Sequence, residues 1–354
     1  MLFSRLNQRK IKAIGFFILA WLGVSLFYLF VRFYGMPLPI NWNMLLLSTV
    51  QFGLLAGLSQ GVYEVFILGD DRFHRTLIES AIMRSIFSGT SILSNIVIVN
   101  LLTSAQIEGE MLSPHAYANL LQTLNAQETG IFFVFTFASS FLITFARSVS
   151  KKFGSRVLIN SVLGKYQDPM EEERVFMFID LKSATTLAEE LGHFSYSGFL
   201  RDYFQLVSNI CVENRGEVYQ FAGDGVILSW TMASCRRRAR PVLCYHDMVQ
   251  CFRKTRRRFE RKYGNYPHFK VALHIGRVVA TEVGNYGSEM AYHGDALNTT
   301  ARLQSLCNIL KRDALMSENF VRKMPHLEGF TAEPQGSFQL KGKNRDLEVF
   351  SLEE

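Results

Sequence analysis

Residues 175–181 read VFMFIDL, an apolar run of strand length ending in Asp180. Residues 217–230 read EVYQFAGDGVILSW, two strand-like runs around a tight Ala222-Gly223-Asp224-Gly225 turn. Gly and Asp between two such runs predict a β-hairpin. Between these stretches Leu187, Leu191, Phe199, Leu200, Tyr203, Phe204 and Val207 recur at helical spacing, predicting a helix over 185–212. A helix over 238–263 and a strand over 271–280 follow by the same criteria, then a helix over 295–310 and strands over 337–341 and 347–352. The order β-α-β-β-α-β predicts an α+β fold of the ferredoxin-like kind, an antiparallel sheet with helices on one face.

Working outward, the chain changes character before residue 147. Four stretches lack any charged residue for about the length of a bilayer span: 13–31, 41–63, 85–107 and 129–146. They predict an all-α transmembrane domain over 1–146. Asn95 and Asn100 lie inside the third stretch, where interhelical hydrogen bonding is the plainer role for an amide. Arg5, Arg9, Lys10 and Lys12 precede the first stretch; Arg72, Arg75 and Arg84 lie between the second and third; Arg147, Lys151, Lys152 and Arg156 follow the fourth. Residues 108–128 contain no Lys or Arg. That asymmetry predicts a multi-pass protein of the inner or plasma membrane with both termini cytoplasmic. Residues 147–172 are basic and then carry Val149, Phe153, Val157, Leu158, Val162 and Leu163 at helical steps. They predict a linker helix ending at Gln167-Asp168-Pro169, to pair with its twin or pack on its own domain. The cytoplasmic domain is then 173–354.

Composition bounds the classes. The 354 residues are 48% hydrophobic and 19% charged, too apolar for a disordered chain. All five cysteines (Cys211, Cys235, Cys244, Cys251 and Cys307) lie in the second half without a CxxC pair, which argues against a disulfide scaffold or a zinc site and for reduced thiols. The net charge of +7 reflects a basic cluster over 236–262. Beneath an anionic leaflet, a solvated helix face comes first as its explanation, membrane lipid second and nucleic acid third, so no nucleic-acid partner is expected.

The candidate chemistry lies in the hairpin region. A βαββ sheet sets Asp180 and Asp224 side by side, and two converging carboxylates repel unless a cation lies between them. Oxygen ligands without nearby Cys or His favour Mg²⁺ or Mn²⁺. Leu181-Lys182-Ser183-Ala184-Thr185 opens a helix whose free N–H groups suit an anion. Asn298 and Arg302, in YHGDALNTTAR, share a helix face, one a neutral amide and one a permanent cation.

Together FIDLKSATTL, QFAGDGVILSW, KVALHIG, YHGDALNTTARLQ and LKGKNRDLEVF, in this order over about 174–352, resemble the class III nucleotidyl cyclases, adenylyl and guanylyl. The resemblance implies a dimer with sites at its interface and two Mg²⁺ (or Mn²⁺) ions per site. It implies metal ligation by Asp180, Asp224 and the Leu181 carbonyl, and triphosphate binding by Ser183, Ala184, Thr185, Lys270 and Lys341. It further implies that Asn298 orients the ribose, that Arg302 stabilises the transition state, and that Gln220 and Ala291 occupy the base-reading positions. Gln220 stands where adenylyl cyclases usually carry Lys, and Ala291 where they carry Asp or Thr; the guanylyl pattern is not met either. The expected activity is a membrane-bound adenylate cyclase converting ATP to cyclic AMP and pyrophosphate in a homodimer. A guanylate cyclase acting on GTP is the alternative, and a catalytically weak nucleotide-binding receptor the alternative of another class.

Overall fold

The computed structural model describes residues 2–35, 41–68, 77–108, 114–125, 127–153, 164–284, 289–324, 326–340 and 346–353. Arg72, Arg75, residues 109–113, most of the linker (154–163) and Lys341 lie outside them. The chain divides into two compact units, Met1–Phe153 and Gly154–Glu354.

The first unit is helical: α1 (Leu2–Phe33), α2 (Trp42–Val62, continued by a π-helical turn Tyr63–Leu68), α3 (Leu77–Glu108), the short α4 (Pro114–Asn125) and α5 (Gln127–Phe153). Four segments, Lys10–Phe33, Trp42–Ile67, Ile86–Ile107 and Thr129–Ser150, are long and apolar enough to cross a membrane. At four of the eight ends, residues 10, 33, 67 and 150, they outrun the charge-free stretches, because the helix continues through the first flanking polar residues.

Small residues decide how α1 meets α2. Gly53, Gly57 and Gly61 recur every fourth residue, and a Cβ on Gly57 would fall 2.4 Å from the Ile18 Cα. Only bare backbone allows that approach. Gln60, buried among the helices, ties them together. Its carbonyl accepts from Trp21 Nε1, and its amide donates to Ser140 Oγ at 2.8 Å and Ser88 Oγ at 3.4 Å. Asn95 Nδ2 likewise donates across to Ser59 Oγ at 3.4 Å.

The second unit comprises β1 (Met170–Leu181), α6 (Ala184–Glu213), β2 (Glu217–Ala222), β3 (Gly225–Thr231), the single turn α7 (Met232–Cys235), α8 (Arg240–Tyr263), β4 (Phe269–Val283), β5 (Glu289–His293), α9 (Asp295–Leu310), β6 (Ala314–Ser317), α10 (Glu318–Lys323), β7 (Thr331–Phe338) and β8 (Leu347–Glu353). The sheet runs β2-β3-β1-β4-β6-β8-β7, with β5 paired to β4. Its first four strands are all antiparallel, the ferredoxin-like core. Val175, Met177, Ile179 and Leu181 face α6 and α8, in a core with Phe199, Tyr203, Met248 and Phe252.

Three expectations need correction. β4 and β6 pair in parallel, so the full sheet is mixed. Their crossover helix α9 lies on the face opposite α6 and α8, where Leu303 and Cys307 pack on Ala272 and Leu315. A β-α-β crossover must cover one face, and the other was already filled. Finally, the linker helix does not reach Gln167: Gly164 takes φ +64° and residues 164–168 form turns and bends, with the Tyr166 carbonyl accepting from the Glu282 N–H at 3.0 Å. β5 and β6 escaped prediction because five and four residues are too few to show a period.

The cysteines are free, and burial raises the thiol pKa of each, that of Cys307 to about 12. They behave as small apolar side chains. In α8 the basic residues are solvated: Arg256 bonds Glu260 at 2.6 Å and Lys262 bonds Asp202 at 2.7 Å, while Val242, Met248, Phe252 and Phe259 are buried.

Candidate active site

The hairpin turn is tight because Gly223 adopts φ +61°, the glycine-favoured first position of a two-residue turn. β1 and β3 pair Ile179 with Val226, so one step further Asp180 stands opposite Gly225, with Asp224 next to it. Gly225 is close-packed: a Cβ there would lie 3.0 Å from the Ile179 carbonyl oxygen and 3.4 Å from Asp180 Oδ1. The bare glycine therefore lets the two carboxylates converge.

Their electrostatics follow. Burial raises the pKa of Asp224, and the nearby Asp180 charge raises it further. Tyr196 and the fully buried Tyr203, both on α6, are raised by burial first and by the two aspartates second. Among the described residues no group of three or more His, Cys, Asp or Glu surrounds a metal position. A two-carboxylate set fits a hard cation that takes its remaining ligands from phosphate or water. A cation between Asp180 and Asp224 would relieve the repulsion that raises Asp224.

On the far side of Asp180 the structure brings two residues together. Lys270, directly opposite on β4, sets Nζ 3.0 Å from Asp180 Oδ2 and 3.2 Å from Asn308 Oδ1. Gln304 Nε2 donates to the same Asp180 oxygen at 3.0 Å. Gln304 was missed by sequence reasoning, although it ends the quoted YHGDALNTTARLQ stretch; only the placement of α9 across β1 and β4 reveals its partner.

The strand-to-helix turn after Asp180 is held by the Lys182 N–H bonding the His268 carbonyl at 2.8 Å and by a Lys182–Asp313 ion pair. Ser183 caps α6 in a left-handed conformation, φ 54°, without a side-chain capping bond. No side chain of the cap competes for the first N–H groups of the helix, including those of Ala184 and Thr185.

Gln220 and Ala291 sit on different strands that meet through their neighbours. The Tyr219 and Tyr292 rings lie 4.9 Å apart, and the buried Arg174 guanidinium lies 4.6 Å over the Tyr292 ring. Gln220 is exposed and Ala291 half-buried. Asn298 is exposed and Arg302 half-buried on α9; among the described residues neither side chain has a hydrogen-bond or ion-pair partner. His274 is buried with Nδ1 2.8 Å from Ser317 Oγ, a core role.

Residues 167–354 match the Adenylate and Guanylate cyclase catalytic domain, and the chain belongs to that family. It is similar to Adenylate cyclase 2 of Rhizobium meliloti (strain 1021), with 32% identity over 219 residues covering 62% of this chain and 60% of that protein. Adenylate cyclase 1 of the same organism is 23% identical over 219 residues, 60% of this chain and 32% of the relative. The chain thus spans less than two thirds of the length of these relatives. A solved bacterial light-regulated adenylyl cyclase shares the fold, with a TM-score of 0.50 at 22% identity over 60% of this chain and 61% of that one.

Proposed function

We propose that the protein is a membrane-bound adenylate cyclase, converting ATP to 3′,5′-cyclic AMP and pyrophosphate in a homodimer whose two sites lie at the interface. The observation that carries the dimer is the division of α9 into two faces. Gln304 and Asn308 turn to the chain's own Asp180 and Lys270. Arg302 lies about 200° round the helix from Gln304, with Asn298 one turn before it. A second copy presenting Asp180 and Asp224 to that other face completes the site, and twofold symmetry makes two.

Asp180, Asp224 and the Leu181 carbonyl would hold Mg²⁺ or Mn²⁺, which supplies charge neutralisation at the triphosphate and acidifies the ribose 3′-hydroxyl. The N–H groups at Ser183, Ala184 and Thr185 hold phosphate oxygens, with Lys270 and Lys341 adding positive charge. Asn298 orients the ribose so that the 3′-oxygen faces the α-phosphorus, and Arg302 stabilises charge that grows on the α-phosphoryl oxygens. As the O3′–P bond forms and the bond to the β-phosphate breaks, pyrophosphate leaves.

GTP is the second reading, favoured by one observation: the exposed Gln220 amide both donates and accepts and so suits either purine. The adenylate cyclase relatives support ATP. The four apolar helices support a multi-pass membrane location with cytoplasmic termini and lipid contact. In the domain plan this reading adopts, residues 1–146 cross the membrane, 147–172 link, and 173–354 catalyse.

The test measures cyclic nucleotide from purified protein with ATP and GTP in parallel, under Mg²⁺ and Mn²⁺. Asp224→Ala and Arg302→Ala homodimers should each be inactive. Co-expressed, half the dimers are mixed, each with one intact site, and activity should return to about a quarter of wild type. A silent mixture of co-purifying chains would refute the shared site.

A further inference from the structure

Arg174, on β1, is a buried cation, 1% exposed. Its Nη2 donates to Glu217 Oε2 on β2 at 2.7 Å, and its Nε lies 3.7 Å from Glu172 Oε2. Neither Nε nor Nη1 has a hydrogen-bond partner. The guanidinium carbon instead lies 4.6 Å from the centre of the Tyr292 ring on β5. Buried N–H groups without partners are costly, and the face of an aromatic ring offsets that cost for a planar cation.

This contact joins two strands that the hydrogen-bond ladder keeps apart. β2 and β5 stand on either side of β3, β1 and β4. Four strand spacings amount to about 19 Å in a flat sheet. Yet the Tyr219 ring on β2 lies 4.9 Å from the Tyr292 ring, and Tyr219 Oη accepts from the Tyr292 N–H at 3.5 Å. Phe176, two residues along β1 from Arg174 and so on the same face, meets the Tyr292 ring edge-on at 5.6 Å. Arg174 therefore grips β2 through Glu217 and β5 through Tyr292. Gln220 directly follows Tyr219, and Ala291 directly precedes Tyr292.

We infer that Arg174 is a positioning residue for base choice: by clamping Tyr292 to β2 it fixes the separation of Gln220 and Ala291, across which the purine is read. A lysine would serve Glu217 as a point charge, but it lacks the planar cation that stacks on a ring. The inference rests on the cyclase reading above and holds whichever purine is preferred.

The test measures initial rates of the full chain in lipid nanodiscs over a range of ATP and GTP concentrations. Wild type should favour one purine in kcat/KM. In Arg174→Lys and in Tyr292→Leu that advantage should shrink about three- to thirtyfold, the scale of a cation–π contact away from water. The loss should come through KM of the preferred purine, with kcat nearly unchanged. Tyr292→Phe keeps the ring and should keep the wild-type ratio. Combining Arg174→Lys with Tyr292→Leu should cost no more than either alone, because Arg174 acts through that ring. Phe320→Leu alters the core outside the clamp; it should lower Tm and leave the ratio in place. Should Arg174→Lys fail to fold, the contrast between Leu and Phe at position 292 still decides. A wild type inactive on both purines would overturn the cyclase reading and this inference with it. An active wild type without preference, an unchanged ratio in Tyr292→Leu, additive losses in the double variant, or an equal loss in Phe320→Leu would overturn the clamp alone.

Discussion

Lys270 Nζ stands 3.0 Å from Asp180 Oδ2, on the neighbouring strand and in direct register with it. An ammonium therefore already neutralises the carboxylate assigned to the metal. Any metal ion that uses this oxygen must compete with it. Lys270→Gln keeps a donor but loses the charge, and should lower the Mg²⁺ concentration for half-maximal activity. It should also reduce kcat/KM by about 10- to 100-fold, as expected for a residue that orients a metal ligand. An unchanged Mg²⁺ titration would show that Lys270 does not compete.

Gln304 holds the same Asp180 oxygen from α9. Gln304→Leu frees the carboxylate and should cost about 10- to 100-fold in kcat. ATP binding, measured by calorimetry without metal, should change little. If ATP binding is lost as well, Gln304 is a ligand contact or a structural residue and not a support for Asp180.

Base choice should respond to the two residues beside the Tyr219–Tyr292 pair. Gln220→Lys combined with Ala291→Asp should raise the ATP/GTP ratio of kcat/KM by about tenfold or more, the scale of one hydrogen bond to a charged group. A ratio that stays constant would mean these side chains do not face the base.

At the entry to the sheet, Glu172 should make stability depend on pH. Burial opposes ionisation of Glu172, but hydrogen bonds from Lys165 and Tyr166 and the charge of Arg174 hold its carboxyl below the usual range. A pKa depressed on folding stabilises above the unfolded value and loses that effect as pH falls through the folded value. Glu172→Gln should therefore lower Tm most at neutral pH, and the gap should close on acidification. A gap that is constant with pH would mean that the charge of Glu172 contributes nothing.

In the helical unit Gly57→Leu places a side chain against the Ile18 backbone. Overpacking of that kind costs about 1–3 kcal/mol. Melting in detergent, followed by fluorescence of the buried Trp21, should shift downward. An unchanged Tm would show that α1 and α2 separate without cost.

Much of this was legible along the chain because it is local. Strand runs, the Gly223-Asp224 turn and the charge-free helices are each written in a few consecutive residues, and period and turn chemistry follow from backbone geometry. Within the ferredoxin-like core only β2 and β3 are joined by a short connection; the pairing of β1 with β3 and β4 followed from the order of the elements. β5 and β6 were not legible, nor were the turns and bends of 164–168, where a positive φ at Gly164 and a tertiary bond from Glu282 hold the chain out of a helix.

The sequence by itself determined that Asp180 and Asp224 meet, since a hairpin beside β1 admits one register once alternate residues must be buried. It also determined that Asn298 and Arg302 share a face, since the helix repeat requires it. Only the tertiary structure decided where that face points. The parallel crossover sends α9 to the free side of the sheet and turns Gln304 and Asn308 inward to Asp180 and Lys270. Asn298 and Arg302 are thereby carried to the other side of the helix. The side of the sheet that a crossover covers depends on which side is already filled, and that is a property of the packed whole.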